Sequence, residues 1–371
     1  MSFAPFFEPS CFEALPGWEL DDHLAAFAAF QRSAHHVMVK PYKTGALGIR
    51  FEAFASAYEA ARTALASDQE EARSFFERHF TPVYVKPEQG GQGFVTGFYE
   101  PEVEASPVRT PHFTVPLLMR PHDLVDIDDA NRPAGMDPYL AFARQTLSGL
   151  VEYHDRQAIE RGALAGRGLE IAWLADKVDA FFIHVQGAAR LNMVDGRSLR
   201  VSYAAKSGQR FTGPGGILAG LREIPLEQVT MQSIRAWFLQ NPQRVDEILW
   251  QNRSYIFFRE APVDNPALGP IAAAKVPLTP GRSVAVDRLL HTFGTPFYID
   301  APKLMAFEEK PFRRLMIAQE TGSAILGAAR GDLFAGSGRW AGETAGVVRH
   351  PADFYALVPR ALVEHLSGRQ V

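Results

Sequence analysis

Residues 318–338 read AQETGSAILGAARGDLFAGSG: one aspartate, Asp332, framed by glycine and alanine and followed by Leu333 and Phe334. Two readings compete for it. A Gly-Asp pair is a common β-turn element. A carboxyl set against apolar neighbours in a partly desolvated pocket has instead the raised pKa that suits a proton donor. The runs around it are strand-like. RSVAVD (282–287), TPFYID (295–300), RRLMIAQE (313–320) and FYALVP (354–359) are short, apolar and separated by proline and glycine, which predicts a small closed barrel rather than helices alternating with strands.

Further out, the first 80 residues read as helical. Phe51, Phe54, Tyr58, Ala61 and Leu65 repeat at the spacing of one helix face, and Ser67 with Glu70 predicts a capping box opening a helix that carries Phe75, Phe76 and Phe80. After Pro82 the pattern turns to β with VYV and FVTGFYE, in which Glu100, Glu102 and Glu104 alternate along one strand face. Residues 102–246 have their own apolar periodicity, with Ile171, Leu174, Val178 and Phe181 on one helix face. Helices are expected at 226–240 and 243–250, separated by Asn241 and Pro242 as N-cap and first helical residue. From SYIFFRE (254–260) onward the chain returns to β.

Composition excludes several classes. A chain of 371 residues, 47% hydrophobic and 22% charged, is long enough for two cored domains and is not disordered. With 38 basic and 42 acidic residues it lacks the broad positive footprint of a nucleic-acid binder. Cys11 is the single cysteine, so no disulfide framework or multi-cysteine zinc site exists. It reads as a small, partly buried residue, because FEPSC lacks the apolar stretch that precedes a lipidated cysteine. No apolar run is long enough to span a bilayer, and the start MSFAPFFEPS lacks the basic and apolar regions of a signal peptide.

There is no HExxH, phosphate-loop or GxSxG pattern, and no metal or cofactor is expected. What remains is carboxylates, aromatics and amides in glycine-rich β segments, the materials of a sugar-binding cleft. FFIHVQGAARL (181–191) places Gln186 and Gly187 directly after an apolar strand, where the amide either meets a ligand or satisfies a turn. SYAAKSGQRF (202–211) carries Tyr203 in a similar context, as a ligand contact or as a plain surface loop.

Taken in order, GFYEP (97–101), FFIHVQGAARL, SYAAKSGQRF, NRSYIFF (252–258), VPLTPGRSVAVD (276–287) and the blocks AQETGSAI, GDLFAGSG and AGETAG resemble the membrane-bound lytic murein transglycosylase A family. That family has a C-terminal three-aspartate, or 3D, domain. The resemblance implies a mainly β fold with N-terminal helices. It has a double-psi β-barrel from residues 1–101 plus 247–371, a β-containing domain of residues 102–246 inserted in it, and a large groove between them. It implies Asp332 as catalytic acid, with Gly97, Tyr99, Glu100, Gln186, Gly187, Tyr203, Ser323 and Phe334 as substrate-binding positions. One position departs from the family pattern: Glu320 stands where an aspartate is expected after Ala318 and Gln319.

The implied reaction cleaves the β-1,4 bond between N-acetylmuramic acid and N-acetylglucosamine in peptidoglycan and leaves 1,6-anhydromuramoyl ends. The implied location is the periplasm of a Gram-negative bacterium, attached to the outer membrane through a lipid absent from this form. The implied partners are glycan strands, cell-wall synthases and scaffold proteins. Two other readings stand beside it. One is a hydrolase of the same glycan that uses Glu100 to activate water; the other is a non-catalytic wall-binding scaffold.

Overall fold

The structure, a computed structural model, describes residues 6–88 and 90–367. It is a mixed α+β chain, mostly sheet with some helices, and it divides into two compact units, residues 1–99 with 263–371 and residues 100–262.

In the first unit, the helix His23–His36 opens at Asp22, whose carboxylate accepts the Ala25 N–H at 3.0 Å. Ala26, Phe27, Phe30 and Ala34 recur along its buried face. Phe27 and Phe30 meet Phe75 and Phe76 of the helix Gln69–His79, and Phe30 stacks on Tyr58. Each buried ring contributes about 1.5–3 kcal/mol of transfer free energy. The expected capping box is displaced by one residue: Asp68 accepts the Glu71 N–H, and Glu71 reaches back to the N–H and hydroxyl of Ser67. An aspartate anion at the helix start is favoured by the exposed N–H dipoles there. Leu65 does not continue the apolar face. The helix Ala55–Thr63 ends before it, leaving Leu65 93% exposed. Cys11 is likewise exposed, not partly buried.

Eight strands of this unit form one sheet, in the order Phe7–Pro9, Phe80–Val85, Arg349–Pro359, Pro296–Ala301, Phe312–Glu320, Ser283–Ala285, Arg330–Ser337 and Gly93–Glu100. Arg349–Pro359 pairs again with Gly93–Glu100, so the run from one to the other closes into a ring. Ser283–Ala285 lies parallel to Phe312–Glu320 and antiparallel to Arg330–Ser337.

Two buried polar links join the N-terminal segment to this sheet. Gln319 accepts from the Ser283 hydroxyl at 2.6 Å and donates to Ala29 O and Ser33 Oγ in the first helix. Asp21 pairs with Arg282 through both carboxylate oxygens, at 2.8 and 2.9 Å, and also accepts the Leu315 N–H.

In the second unit, six strands run in the order Ile256–Glu260, Ser198–Lys206, Ala188–Met193, Glu102–Ser106, Glu170–Leu174 and Val115–Leu118. A separate three-stranded sheet comprises Leu124–Asp126, Phe142–Thr146 and Gly149–Val151. The expected boundary at residue 247 moves to 263. Ile256–Glu260 pairs with Ser198–Lys206, and Arg156, 2% exposed, donates to the carbonyls of Asn252 and Ser254. The FFIHVQ run is not a strand. It is the second half of the helix Lys177–Gln186, opened by Asp176 and closed by Gly187, while Glu170–Leu174 before it is extended. Helices occupy Met231–Gln240 and Val245–Leu249, with single 3-10 turns at Leu226–Gln228 and Pro242–Arg244.

Removing one partner of a buried ion pair leaves the other charge uncompensated. Asp21→Ala should therefore lower unfolding free energy by about 3–5 kcal/mol in urea titration, and a loss below about 1 kcal/mol would show that the pair is not a structural tie.

Candidate active site

Asp332 lies on the strand Arg330–Ser337, opposite Ala285 on one side, with the strand Gly93–Glu100 on the other. The Thr96 hydroxyl donates to Asp332 Oδ1 at 2.5 Å, and Arg330 Nη2 donates to Thr96 Oγ1 at 2.7 Å. Burial pushes the Asp332 carboxyl above the ordinary aspartate range, and the Thr96 hydrogen bond and Arg330 charge only partly oppose it. A carboxyl so placed holds a proton more readily than an exposed one and can give it up and take it back, as acid-base catalysis requires.

Gly97 and Tyr99 follow Thr96 on its strand and pack under the helix Gly338–Gly346. A methyl at Gly97 would lie 2.9 Å from Ala345 Cα, and one at Gly342 would lie 2.8 Å from the Tyr99 ring. These glycines therefore let strand and helix touch. Phe334 is 0% exposed and packs on Phe98, Ala272 and Leu278, so it forms core beneath the site rather than a surface for a sugar. Ser323 is exposed in the turn before the Asp332 strand.

Glu320 is the register partner of Ala285 on the side away from Asp332. Its two carboxylate oxygens accept the N–H groups of Ala273 and Thr321 at 3.0 and 2.8 Å. Burial raises it to about 7, against the pull of those two N–H groups, Lys275 and Arg288. With both oxygens engaged, Glu320 acts as a clamp on the 270–276 loop.

In the second unit, Glu100 is 0% exposed, with Arg200 at 3.1 Å and Arg190 at 3.5 Å. It is a buried ion-pair residue and presents no surface on which to hold a water nucleophile. Gly187 ends its helix at φ +75°, the left-handed cap that glycine allows. Its carbonyl accepts the Tyr203 N–H at 2.7 Å, so Gln186, Gly187 and Tyr203 come together, the last 42% exposed.

Thr96 and Arg330 escaped the sequence reading. Thr96 immediately precedes GFYEP, and Arg330 stands two residues from Asp332, the strand period that puts both on one face. Among the described residues, no group of three or more His, Cys, Asp or Glu side chains converges as a metal site, and no helix is long and apolar enough to cross a membrane.

Residues 94–259 match the profile of the MltA specific insert domain, and residues 282–358 match that of the 3D domain. The chain is 30% identical over 270 residues to membrane-bound lytic murein transglycosylase A of Escherichia coli K12, covering 71% of this chain. Such matches span 53% to 65% of the curated relatives' own length. Among solved structures, the membrane-bound lytic murein transglycosylase of Agrobacterium tumefaciens is 50% identical, with a TM-score of 0.92 over 97% of this chain and 99% of that one. The E. coli MltA structure with bound chitohexaose is 25% identical, with a TM-score of 0.66 over 90% of each chain. With both domain profiles in order and half its residues shared along nearly the whole of a solved relative, the chain belongs to the membrane-bound lytic murein transglycosylase A family.

Proposed function

We propose that the protein is a lytic transglycosylase that cleaves the β-1,4 bond between N-acetylmuramic acid and N-acetylglucosamine in peptidoglycan, with Asp332 as its single acid and base. The observation that carries this reading is one desolvated carboxyl, raised by burial and held on one oxygen by Thr96. Protonated Asp332 gives its proton to the glycosidic oxygen as that bond breaks. The carboxylate so formed takes the proton of the muramoyl C6 hydroxyl as that oxygen bonds to C1, and the 1,6-anhydro ring closes without water. A hydroxyl already attached to the reacting sugar has a high effective concentration, so no second carboxylate is needed to activate a nucleophile. The bound chitohexaose of the E. coli relative supports a β-1,4-linked glycan as the ligand.

The finer fold reading goes with this one. The ring of strands that carries Asp332 is proposed as a double-psi β-barrel, its parallel Ser283–Ala285/Phe312–Glu320 pair supporting it. Gly97, Tyr99, Ser323, Gln186, Gly187 and Tyr203 remain candidate glycan contacts; of these Ser323 and Tyr203 are the exposed ones. Because peptidoglycan lies outside the cytoplasmic membrane, we place the protein in the Gram-negative periplasm, attached to the outer membrane. Wall synthases and scaffolds would be its protein partners there.

On purified peptidoglycan, Asp332→Asn should release muropeptides roughly 10²–10⁴ times more slowly than the parent; equal rates would remove Asp332 from the chemistry and favour a non-catalytic wall binder. The pH profile gives a second check. Because the protonated form is the active one and its pKa is raised above 3.8, kcat should fall with rising pH only above that value. A limb centred at or below 3.8 would contradict the raised carboxyl.

A further inference from the structure

Thr96 has one hydroxyl hydrogen and two neighbours, Arg330 at 2.7 Å and Asp332 at 2.5 Å. Arg330 is a donor only, since a guanidinium has no acceptor and stays charged. Its Nη1 donates to the Gly331 carbonyl, and its guanidinium carbon lies 5.7 Å from the centre of the Phe94 ring, so the group is anchored on both sides. Among the described residues it makes no ion pair with a carboxylate. Thr96 Oγ1 must then accept from Arg330, and its hydrogen is left for Asp332 Oδ1.

We propose that Arg330 and Thr96 form a one-way hydrogen-bond relay that keeps Asp332 Oδ1 an acceptor and confines the transferable proton to Oδ2. The inference rests on Asp332 being the acid named above. It makes Thr96 and Arg330 positioning residues. In the first step the Oδ2–H bond breaks and the proton passes to the glycosidic oxygen; in the second, Oδ2 takes the C6 hydroxyl proton. Oδ1 keeps the Thr96 hydrogen bond throughout. The carboxyl thus presents the same oxygen to the sugar in both steps and does not have to rotate between them. A neutral hydrogen-bonding side chain at position 330 could donate or accept, so the Thr96 hydrogen would no longer be committed. The charge has a second effect in the same direction: Arg330 is the charged group that opposes the effect of burial on Asp332.

Four variants separate the relay from a merely structural role. Arg330→Gln and Thr96→Val break it, whereas Arg330→Lys keeps a donor-only cation and Thr96→Ser keeps the hydroxyl. The relay predicts that the first two lower kcat at least about tenfold with KM within about threefold, and that the second two stay within about threefold of the parent. By carbon-13 NMR of the labelled chain, the Asp332 carboxyl should titrate at higher pH in Arg330→Gln than in the parent, since a cation that favours the charged form is lost. Unchanged kcat in Arg330→Gln, or an unchanged Asp332 titration, would overturn the relay, as would Arg330→Lys failing as badly as Arg330→Gln while melting like the parent. The NMR titration needs no turnover, so it reports on the relay even if the parent released no anhydro product.

Discussion

The hydrogen bond from Thr96 to Asp332 joins residues 236 positions apart and exists only when the strands Gly93–Glu100 and Arg330–Ser337 lie side by side. Closing so long a loop costs conformational entropy before any contact compensates it. The return comes from the whole ring of strands and the aromatic core beneath the first helices, not from the site itself. Register is equally constrained. A slip of one residue would turn Leu333 outward and bury Asp332 among apolar side chains, because strand faces alternate. Leu333 is fully buried beside it, which fixes the face on which the carboxyl emerges.

Around that bond the structure separates jobs that look alike in the sequence. Three carboxylates within or beside the glycine-rich motifs have different fates. Asp332 is half-buried and hydrogen-bonded by one hydroxyl, Glu320 is clamped by two backbone N–H groups, and Glu100 is paired with two arginines. A single-acid mechanism is consistent with this division, since Glu320 and Glu100 are each committed to holding structure. The small residues that surround Asp332 and follow it have a packing reason too. A methyl at Gly331 would lie 3.0 Å from the Phe354 ring and 3.1 Å from Val284, and Gly342 admits the Tyr99 ring.

Much of this was legible in the residues. The short apolar runs 282–287, 295–300, 313–320 and 354–359 announce the sheet because each has turn residues at its ends, and Asp332 stands out as the one aspartate in the glycine-rich block. What the sequence hid depends on tertiary context. FFIHVQ is apolar without a clear period, so helix and strand could not be told apart until Asp176 and Gly187 were seen as its caps. The resemblance implies Phe334 as a substrate-binding position, yet its neighbours Phe98 and Leu278, from a distant strand and loop, enclose it in the core. Thr96 and Arg330 were invisible for the same reason: their meaning lies in a pairing across 234 residues.

In the proposed reaction the sugar's own hydroxyl, not water, completes the cleavage at Asp332. Cleavage of purified peptidoglycan in water enriched in heavy oxygen tests this most directly, with the muramoyl ends read by mass spectrometry. Ends that lack the elements of water and carry no heavy oxygen are expected; heavy oxygen at the muramoyl C1 would rule out ring closure by the sugar's own hydroxyl.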